Sequence, residues 1–149
     1  MDDMLDGRLT AITGGELELI GAKKKFLNSF LNVLESIGVK YSVTKTSIIF
    51  KRNSNILYPV EIGTEPYPGF PTDLQAQLMA VMSISNGVSF ITENIFENRF
   101  MHVPELIRMG AKIKLKGNLA IVEGVKKLKG AEVRATDLRA SVSLILAGL

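Results

Sequence analysis

The chain has 149 residues, of which 46% are hydrophobic and 22% charged, with a net charge of +3 at pH 7. This balance is typical of a globular domain and excludes a largely disordered chain, while the mild positive charge fits a small anionic ligand as well as nucleic acid. The sequence has no cysteine, which excludes disulfides and thiolate metal sites. It also has no apolar run of membrane-spanning length and no cationic signal-peptide start, so we expect a cytoplasmic chain without a membrane partner.

The first half of the chain carries the pattern of one α/β unit. Alternating residues predict a strand over Glu16–Ile20. Apolar residues at helical spacing from Phe26 to Ile37, followed by Gly38, predict a helix that ends at this glycine. The other predicted elements of this half are paired strands at Lys40–Val43 and Ser47–Lys51, a polar turn at Arg52–Asn55 and a short strand at Val60–Ile62.

A proline-rich loop leads into the next predicted helix. Three prolines and one glycine within residues 65–71 predict a rigid, non-helical segment. We expect Thr72 to begin a helix, with its hydroxyl capping the first turn and Gln75 completing a capping box. This helix should run through Ile84, before a turn at Asn86–Gly87.

The second half repeats this plan. The predicted elements are a strand at Val88–Thr92, a helix at Val103–Met109 closed by Gly110, a hairpin of Lys112–Leu115 with Ala120–Glu123, a strand at Glu132–Arg134 and a final helix capped by Thr136.

The two halves are an internal repeat. Leu34–Lys40 matches Leu106–Lys112 at an offset of 72 positions, as Ile12–Gly15 matches Ile84–Gly87. We therefore predict one partial domain over residues 1–149, with one repeat unit at about 11–86 and a second at about 87–149.

Asp73 and Asp137 each lie just inside a predicted helix start, after a threonine. One interpretation is structural, because a carboxylate there stabilises the helix dipole. The other is functional, because a helix N-terminus favours the ionised form that a general base needs. The rigid loop before Asp73 favours the second interpretation for that residue.

Arg139 is a candidate anion-binding residue. A cation in the first turn of a helix opposes the dipole, so this position is unfavourable for stability. An arginine beside free backbone N–H groups suits a carboxylate or a phosphate.

Residues 93–102 form a polar and aromatic stretch that leaves a strand end, where ligand sites of α/β folds often lie. A surface loop with two core phenylalanines is the alternative. His102, the only histidine, is expected to be structural, and no companion residues indicate a metal site.

Four long motifs in this order resemble the UDP-N-acetylglucosamine 1-carboxyvinyltransferase family of enolpyruvyl transferases. Residues 11–67 are also similar to the family, more loosely, whereas residues 1–10 do not match it. The motifs are Pro66–Gln77, Ile91–Leu106, Arg108–Ala111 and Ala135–Ser141.

The resemblance implies transfer of the enolpyruvyl group of phosphoenolpyruvate to the 3′-hydroxyl of UDP-N-acetylglucosamine, for peptidoglycan in the cell wall. It implies no metal and no cofactor. It implies that Asp73 contacts the 3′-hydroxyl and deprotonates it, that Arg99 and Arg139 bind the anionic substrate, and that Asp137 also belongs to the active site. The position of Ile95 would offer backbone contacts to the UDP-sugar, with Phe96 beside it.

The fold that the resemblance implies is an inside-out α/β barrel, of which this chain holds about two repeat units of one domain. The family's loop with a catalytic cysteine or aspartate has no counterpart in these residues, so we expect the isolated chain to be inactive. We also expect it to self-associate through an exposed apolar helix face. The alternative function is a non-catalytic α/β module that binds a UDP-sugar or nucleic acid, although the sequence lacks the basic stripe typical of nucleic-acid binding.

Overall fold

The computed structural model of the protein describes residues 16–52 and 56–132. The elements of the first half are β1 (Glu16–Ile20), α1 (Asn28–Ile37), β2 (Val39–Val43) and β3 (Ser47–Arg52). The elements that follow are β4 (Glu61–Gly63), α2 (Gln75–Met82), β5 (Val88–Thr92), α3 (Val103–Arg108), β6 (Lys112–Lys116) and β7 (Leu119–Glu123).

The strands form two sheets with the same antiparallel core. The first has the order β1-β3-β2 and the second the order β4-β5-β7-β6. Glu16 pairs with Lys51 in the first sheet, and Val88 pairs with Glu123 in the second. Val88 lies 72 positions after Glu16, and Glu123 lies 72 positions after Lys51, which is the offset of the repeat. The backbone pairing therefore repeats residue for residue, while the predicted unit boundaries at 11, 86, 87 and 149 stay a prediction.

Within the described residues, strand β4 distinguishes the second sheet from the first. It runs parallel to β5, with Ile62 opposite Ile91. The chain then enters the proline-rich loop, whose Tyr67–Pro68 peptide bond is cis. This loop contains no helix or strand before Thr72, as the sequence predicts. It connects β4, at the edge of the sheet, to the turn before α2.

The helices lie toward the interior and each sheet keeps an exposed face. Helix α1 buries one apolar side, which includes Leu31 and Ile37, and ends where Gly38 adopts a left-handed φ of 105°. Every residue of α2 is buried, as expected for a helix surrounded by protein on all sides. In the sheets, buried positions such as Ile91 alternate with exposed ones such as Phe90.

The capping prediction at Thr72 is wrong. Thr72–Leu74 forms a 3₁₀ turn after Pro71, without a side-chain cap, and the α-helix begins only at Gln75. The hydroxyl of Thr72 instead donates to the buried carboxylate of Glu93, because a charged acceptor forms a stronger hydrogen bond than a backbone amide partner. The helix also ends earlier than expected, at Met82.

Three predicted elements lie wholly or largely outside the described residues. They are the polar turn at Arg52–Asn55, the strand at Glu132–Arg134 and the helix after Thr136. Asp137 and Arg139 fall in this last segment, and their predicted roles stay predictions.

Large exposed apolar side chains occur mainly on strands and loops in the described ranges. Ile20, Tyr67 and Phe26 are the most exposed of them, at 82%, 75% and 57%. Ile107 is the exposed large apolar residue of the described α-helices. Self-association through a helix face stays a prediction. Within residues 16–52 and 56–132, no helix has the length and hydropathy needed to cross a membrane.

Candidate active site

The proline-rich loop folds into a compact turn that leads to Asp73. The backbone N–H of Glu65 donates to the carbonyl of Phe70 at 2.9 Å, and that of Gly69 to the carbonyl of Pro66 at 2.8 Å. A Cβ at Gly69 would lie 2.4 Å from the Cβ of Glu65. Glycine is required here because the chain approaches itself too closely for any side chain.

Asp73 is held between two buried anchors. Phe70 and Leu74 are 5% and 2% exposed, and both pack into the core with α1. Asp73 itself is half-buried in the 3₁₀ turn that precedes α2. A carboxylate in this first turn is stabilised by the helix dipole. The local geometry therefore suits both interpretations of Asp73, as a dipole partner and as a base.

Glu93 lies at the end of β5 and is 4% exposed. Its Oε2 accepts a hydrogen bond of 2.5 Å from the hydroxyl of Thr64, and its Oε1 accepts one from the hydroxyl of Thr72. The hydroxyl oxygen of Thr64 also accepts the backbone N–H of Asn94 at 2.9 Å. A single buried carboxylate thus joins the end of β4, the end of β5 and the turn that carries Asp73.

The loop that follows Glu93 lines an open cleft of about 1020 Å³. The guanidinium carbon of Arg99 lies 4.3 Å from the ring centroid of Phe96, a cation–π stacking distance. The Gln75 side chain donates to the carbonyl of Arg99 at 3.4 Å. The loop carrying Arg99 is therefore linked to the first residue of α2. The residues that line the cleft are Glu93–Met101, Leu115, Gly117 and Asn118.

The described candidate residues fall in two adjoining segments. Ile95, Phe96 and Arg99 line the cleft, whereas Asp73 lies outside its lining. Asp73 is nevertheless next in sequence to Thr72, which bonds Glu93 in that lining. The structure brings the Asp73 turn and the Arg99 loop together through side chains to which the sequence assigned other roles or none. Asp137 and Arg139 lie outside the described residues.

His102 is 3% exposed and precedes α3. Its ring meets the ring of Phe100 edge-on, with centroids 6.5 Å apart. This packing agrees with a structural role. Among the described residues, no three His, Cys, Asp or Glu side chains are grouped so that they could hold a metal ion.

Glu93 and Gln75 are the residues that sequence reasoning missed. The sequence marks Glu93 only as the first residue of a polar stretch, and Gln75 only as part of a cap. An acidic residue directly after an apolar strand, opposite a threonine that ends the neighbouring strand, is the signal that could have identified Glu93.

A model of the EPSP synthase (3-phosphoshikimate 1-carboxyvinyltransferase) family matches residues 8–149. The chain belongs to this family. Among solved structures of enolpyruvyl transferases, NikO from Streptomyces tendae matches 97% of the chain and 35% of its own length, with a TM-score of 0.79 and 25% identity. An EPSP synthase from Acinetobacter baumannii matches 98% of the chain and 36% of its own, with a TM-score of 0.74 and 17% identity. The fold prediction is confirmed: the chain has the inside-out α/β fold of one domain of this family.

Curated relatives within the EPSP synthase family are closer in sequence. The UDP-N-acetylglucosamine 1-carboxyvinyltransferase of Azorhizobium caulinodans is 59% identical over 140 residues, which are 94% of this chain and 33% of the relative. The protein of the same name from Agrobacterium fabrum is 59% identical over 139 residues, or 93% of this chain and 32% of the relative. The chain thus spans about a third of the length of the curated relatives it matches.

Proposed function

We propose that this chain forms part of an enzyme that transfers the enolpyruvyl group of phosphoenolpyruvate to the 3′-hydroxyl of UDP-N-acetylglucosamine and releases phosphate. The observation that carries this proposal is the linkage of the Asp73 turn to the Arg99 loop at the rim of a 1020 Å³ cleft. The names of relatives at 59% identity support the choice of acceptor. The product would serve peptidoglycan synthesis, and through it cell shape and division.

Asp73 is proposed to act as the base for the sugar hydroxyl. The 3′-oxygen would bond to C2 of phosphoenolpyruvate as its proton passes to the carboxylate, and a proton would add to C3. Loss of phosphate and of a C3 proton would then restore the double bond. The anchored turn limits the motion of the Asp73 carboxylate, which supports precise placement against a substrate.

Arg99 is proposed to bind the anionic substrate and the tetrahedral intermediate. A planar guanidinium matches carboxylate and phosphate groups through paired hydrogen bonds. Its stacking on Phe96 at 4.3 Å holds the side chain in place before the substrate arrives. Fixed cations of this kind stabilise charge that changes during a reaction.

The remaining site residues extend this proposal. The backbone at Ile95, with Phe96 beside it, would contact the UDP-sugar, and Asp137 and Arg139 would complete the chain's share of the site. We propose a cytoplasmic location, no cofactor, and no nucleic-acid or membrane partner. The resemblance assigns the loop with the catalytic cysteine or aspartate, and part of the phosphate site, to other segments. We therefore expect the chain alone to catalyse no turnover of the two substrates.

Substitution of this chain into a relative tests the activity. The matching 140-residue segment of the Azorhizobium protein would be replaced by this chain, and phosphate release measured with both substrates. We expect activity in the hybrid and a loss of about 100-fold or more in kcat with Asp73→Asn, the scale of a lost general base. Glu65→Gln, in the same loop, is the matched control and should retain activity. An active Asp73→Asn hybrid would refute the base role.

Titration of the purified chain separates the rival function classes. At moderate salt we expect UDP-N-acetylglucosamine to bind. We expect Arg99→Lys to weaken the binding of phosphoenolpyruvate more than Arg108→Lys does, because Arg108 lies on the exposed surface of α3. Steady-state phosphate release by the chain alone would contradict its expected inactivity. Binding of nucleic acid with a steep salt dependence, and none of the UDP-sugar, would instead favour the non-catalytic module.

A further inference from the structure

The carboxylate of Glu93 joins three separate segments. Thr64 directly follows β4, Thr72 begins the turn that carries Asp73, and Glu93 itself directly follows β5. Both carboxylate oxygens accept a hydroxyl, at sequence separations of 29 and 21 residues. Since Glu93 and Thr64 are 4% and 1% exposed, the bond between them is shielded from water, which strengthens a hydrogen bond to a charged group.

The same cluster continues into the loop that lines the cleft. Asn94 donates its backbone N–H to the Thr64 hydroxyl oxygen at 2.9 Å. The Asn118 side chain donates to the carbonyl of Glu93 at 3.2 Å. The start of the loop is therefore fixed from both sides, and the Gln75 contact to the Arg99 carbonyl fixes its far end at 3.4 Å.

The repeat supplies an internal comparison for Glu93. Gly21 occupies the equivalent position in the first sheet, 72 residues earlier. Gly21 donates its backbone N–H to Thr46, and Glu93 donates to Asn118, again 72 positions apart. The backbone contact at this strand end therefore needs no carboxylate, as Gly21 demonstrates. The side chain of Glu93 instead bonds Thr64, next to β4, and Thr72, and within the described residues only the second sheet has a strand in the position of β4.

We propose that Glu93 is a positioning residue that sets the Asp73 turn against the loop of residues 94–99, so that ligand contacts from both segments meet in one geometry. This role rests on the proposed function for its ligand, although the structural linkage does not. In this role Glu93 acts through its hydrogen bonds with Thr72 and Thr64. A shift of about 1 Å in such a linkage is enough to change rate or affinity by up to about 100-fold.

Amide hydrogen exchange on the full chain tests the linkage itself. Thr72→Val keeps the side-chain shape but removes the donated hydroxyl, and Thr72→Ser restores it. We expect exchange in residues 94–99 to rise about tenfold in Thr72→Val and to return to the wild-type rate in Thr72→Ser. Thr64→Val, which removes the other hydroxyl, should raise it as well. Thr44→Val, which removes a hydrogen-bonded hydroxyl from the first sheet's hairpin, is the matched control and should leave this loop unchanged.

Affinity for UDP-N-acetylglucosamine tests the functional consequence. We expect Thr72→Val to weaken binding about tenfold and Thr72→Ser to restore it, with both variants folded at the temperature of the assay. Unchanged exchange in residues 94–99 in both Thr72→Val and Thr64→Val overturns the proposal. So does a faster exchange that is accompanied by wild-type affinity.

The two proposals fail in different ways. A wild-type chain that does not bind the UDP-sugar contradicts the proposed function, and the exchange experiment then decides the linkage without a ligand. If the wild-type chain and Thr72→Val bind the UDP-sugar equally well, the proposed function is supported and the positioning role of Glu93 is contradicted.

Discussion

The two sheets of this protein share one backbone plan and differ at one strand end. Positions 72 apart pair identically, down to the hydrogen bond of Gly21 with Thr46 and of Glu93 with Asn118. In the described residues, β1 pairs with β3 alone, whereas β5 has the additional parallel strand β4 beside it. A Cβ added at Gly21 would meet nothing within 4 Å, while the side chain of Glu93 is buried among hydroxyls.

This difference concerns the polar contacts at one end of the second sheet. Strand β4 brings Thr64 beside the end of β5, and the proline-rich loop then returns the chain so that Thr72 reaches the same carboxylate. The cleft lies at this end of the second sheet. Within the described residues the antiparallel strands repeat, and β4 with the proline-rich loop supplies the polar contacts at the end of β5.

Gly124→Ala should produce the largest loss of stability. A Cβ at Gly124 would lie 1.7 Å from the carbonyl oxygen of Ser85, so the backbone after β7 must move away from the turn after α2. We expect a loss of about 3 kcal/mol in the free energy of unfolding, typical of severe overpacking. Urea unfolding measures it, and Gly130→Ala, which meets nothing within 4 Å, should be close to neutral. An unaffected Gly124→Ala would mean that the backbone at Gly124 and the turn at Ser85 are not packed this tightly.

Glu93→Gln should follow, with a loss of about 2 kcal/mol, the scale of hydrogen bonds to a buried charged group. The amide presents one oxygen where two hydroxyls now donate. Glu18→Gln is the control from the first sheet, because Glu18 accepts a hydroxyl at 2.7 Å from Ser47 on an exposed strand position. Its loss should be clearly smaller in the same urea titration, and equal losses would remove the distinction between the two sheets.

Gly21→Ala tests the other side of the comparison. Gly21 has a φ of +84° and open space around it, so the cost is backbone strain alone, about 1 kcal/mol. Gly21→Asn should cost less, because asparagine tolerates the left-handed region. The thermal midpoints of Gly21→Ala and Gly21→Asn distinguish backbone strain from crowding. Equal midpoints for the two variants would count against strain.

Lys51→Ala should have the smallest effect. Lys51 lies 3.8 Å from Glu16 across the first sheet, with both side chains about 60% exposed. An exposed ion pair contributes at most about 0.5 kcal/mol and is screened by salt. The second sheet has Val88 opposite Glu123 at these positions and folds without the pair. A large, salt-independent loss would show that the first sheet depends on this contact.

The sequence by itself determined most of the elements and their repetition. Period-two and helical spacing placed β1, α1 and the β6–β7 hairpin within a residue or two, because local burial imposes these periods on a strand or helix. The motifs around Asp73 and Arg99 likewise indicated an enolpyruvyl transferase, and the chain belongs to the EPSP synthase family.

Only the tertiary structure decided the partners of the polar side chains. Thr72 looked like a helix cap, yet its hydroxyl meets a carboxylate 21 residues away. Gln75 reaches a carbonyl 24 residues away. The order of residues along a chain specifies which groups are near in sequence, whereas a hydrogen bond depends on which strand ends the packing brings together. Local patterns cannot contain that information, because β4, β5 and the turn before α2 meet only after both sheets and the buried helix have assembled.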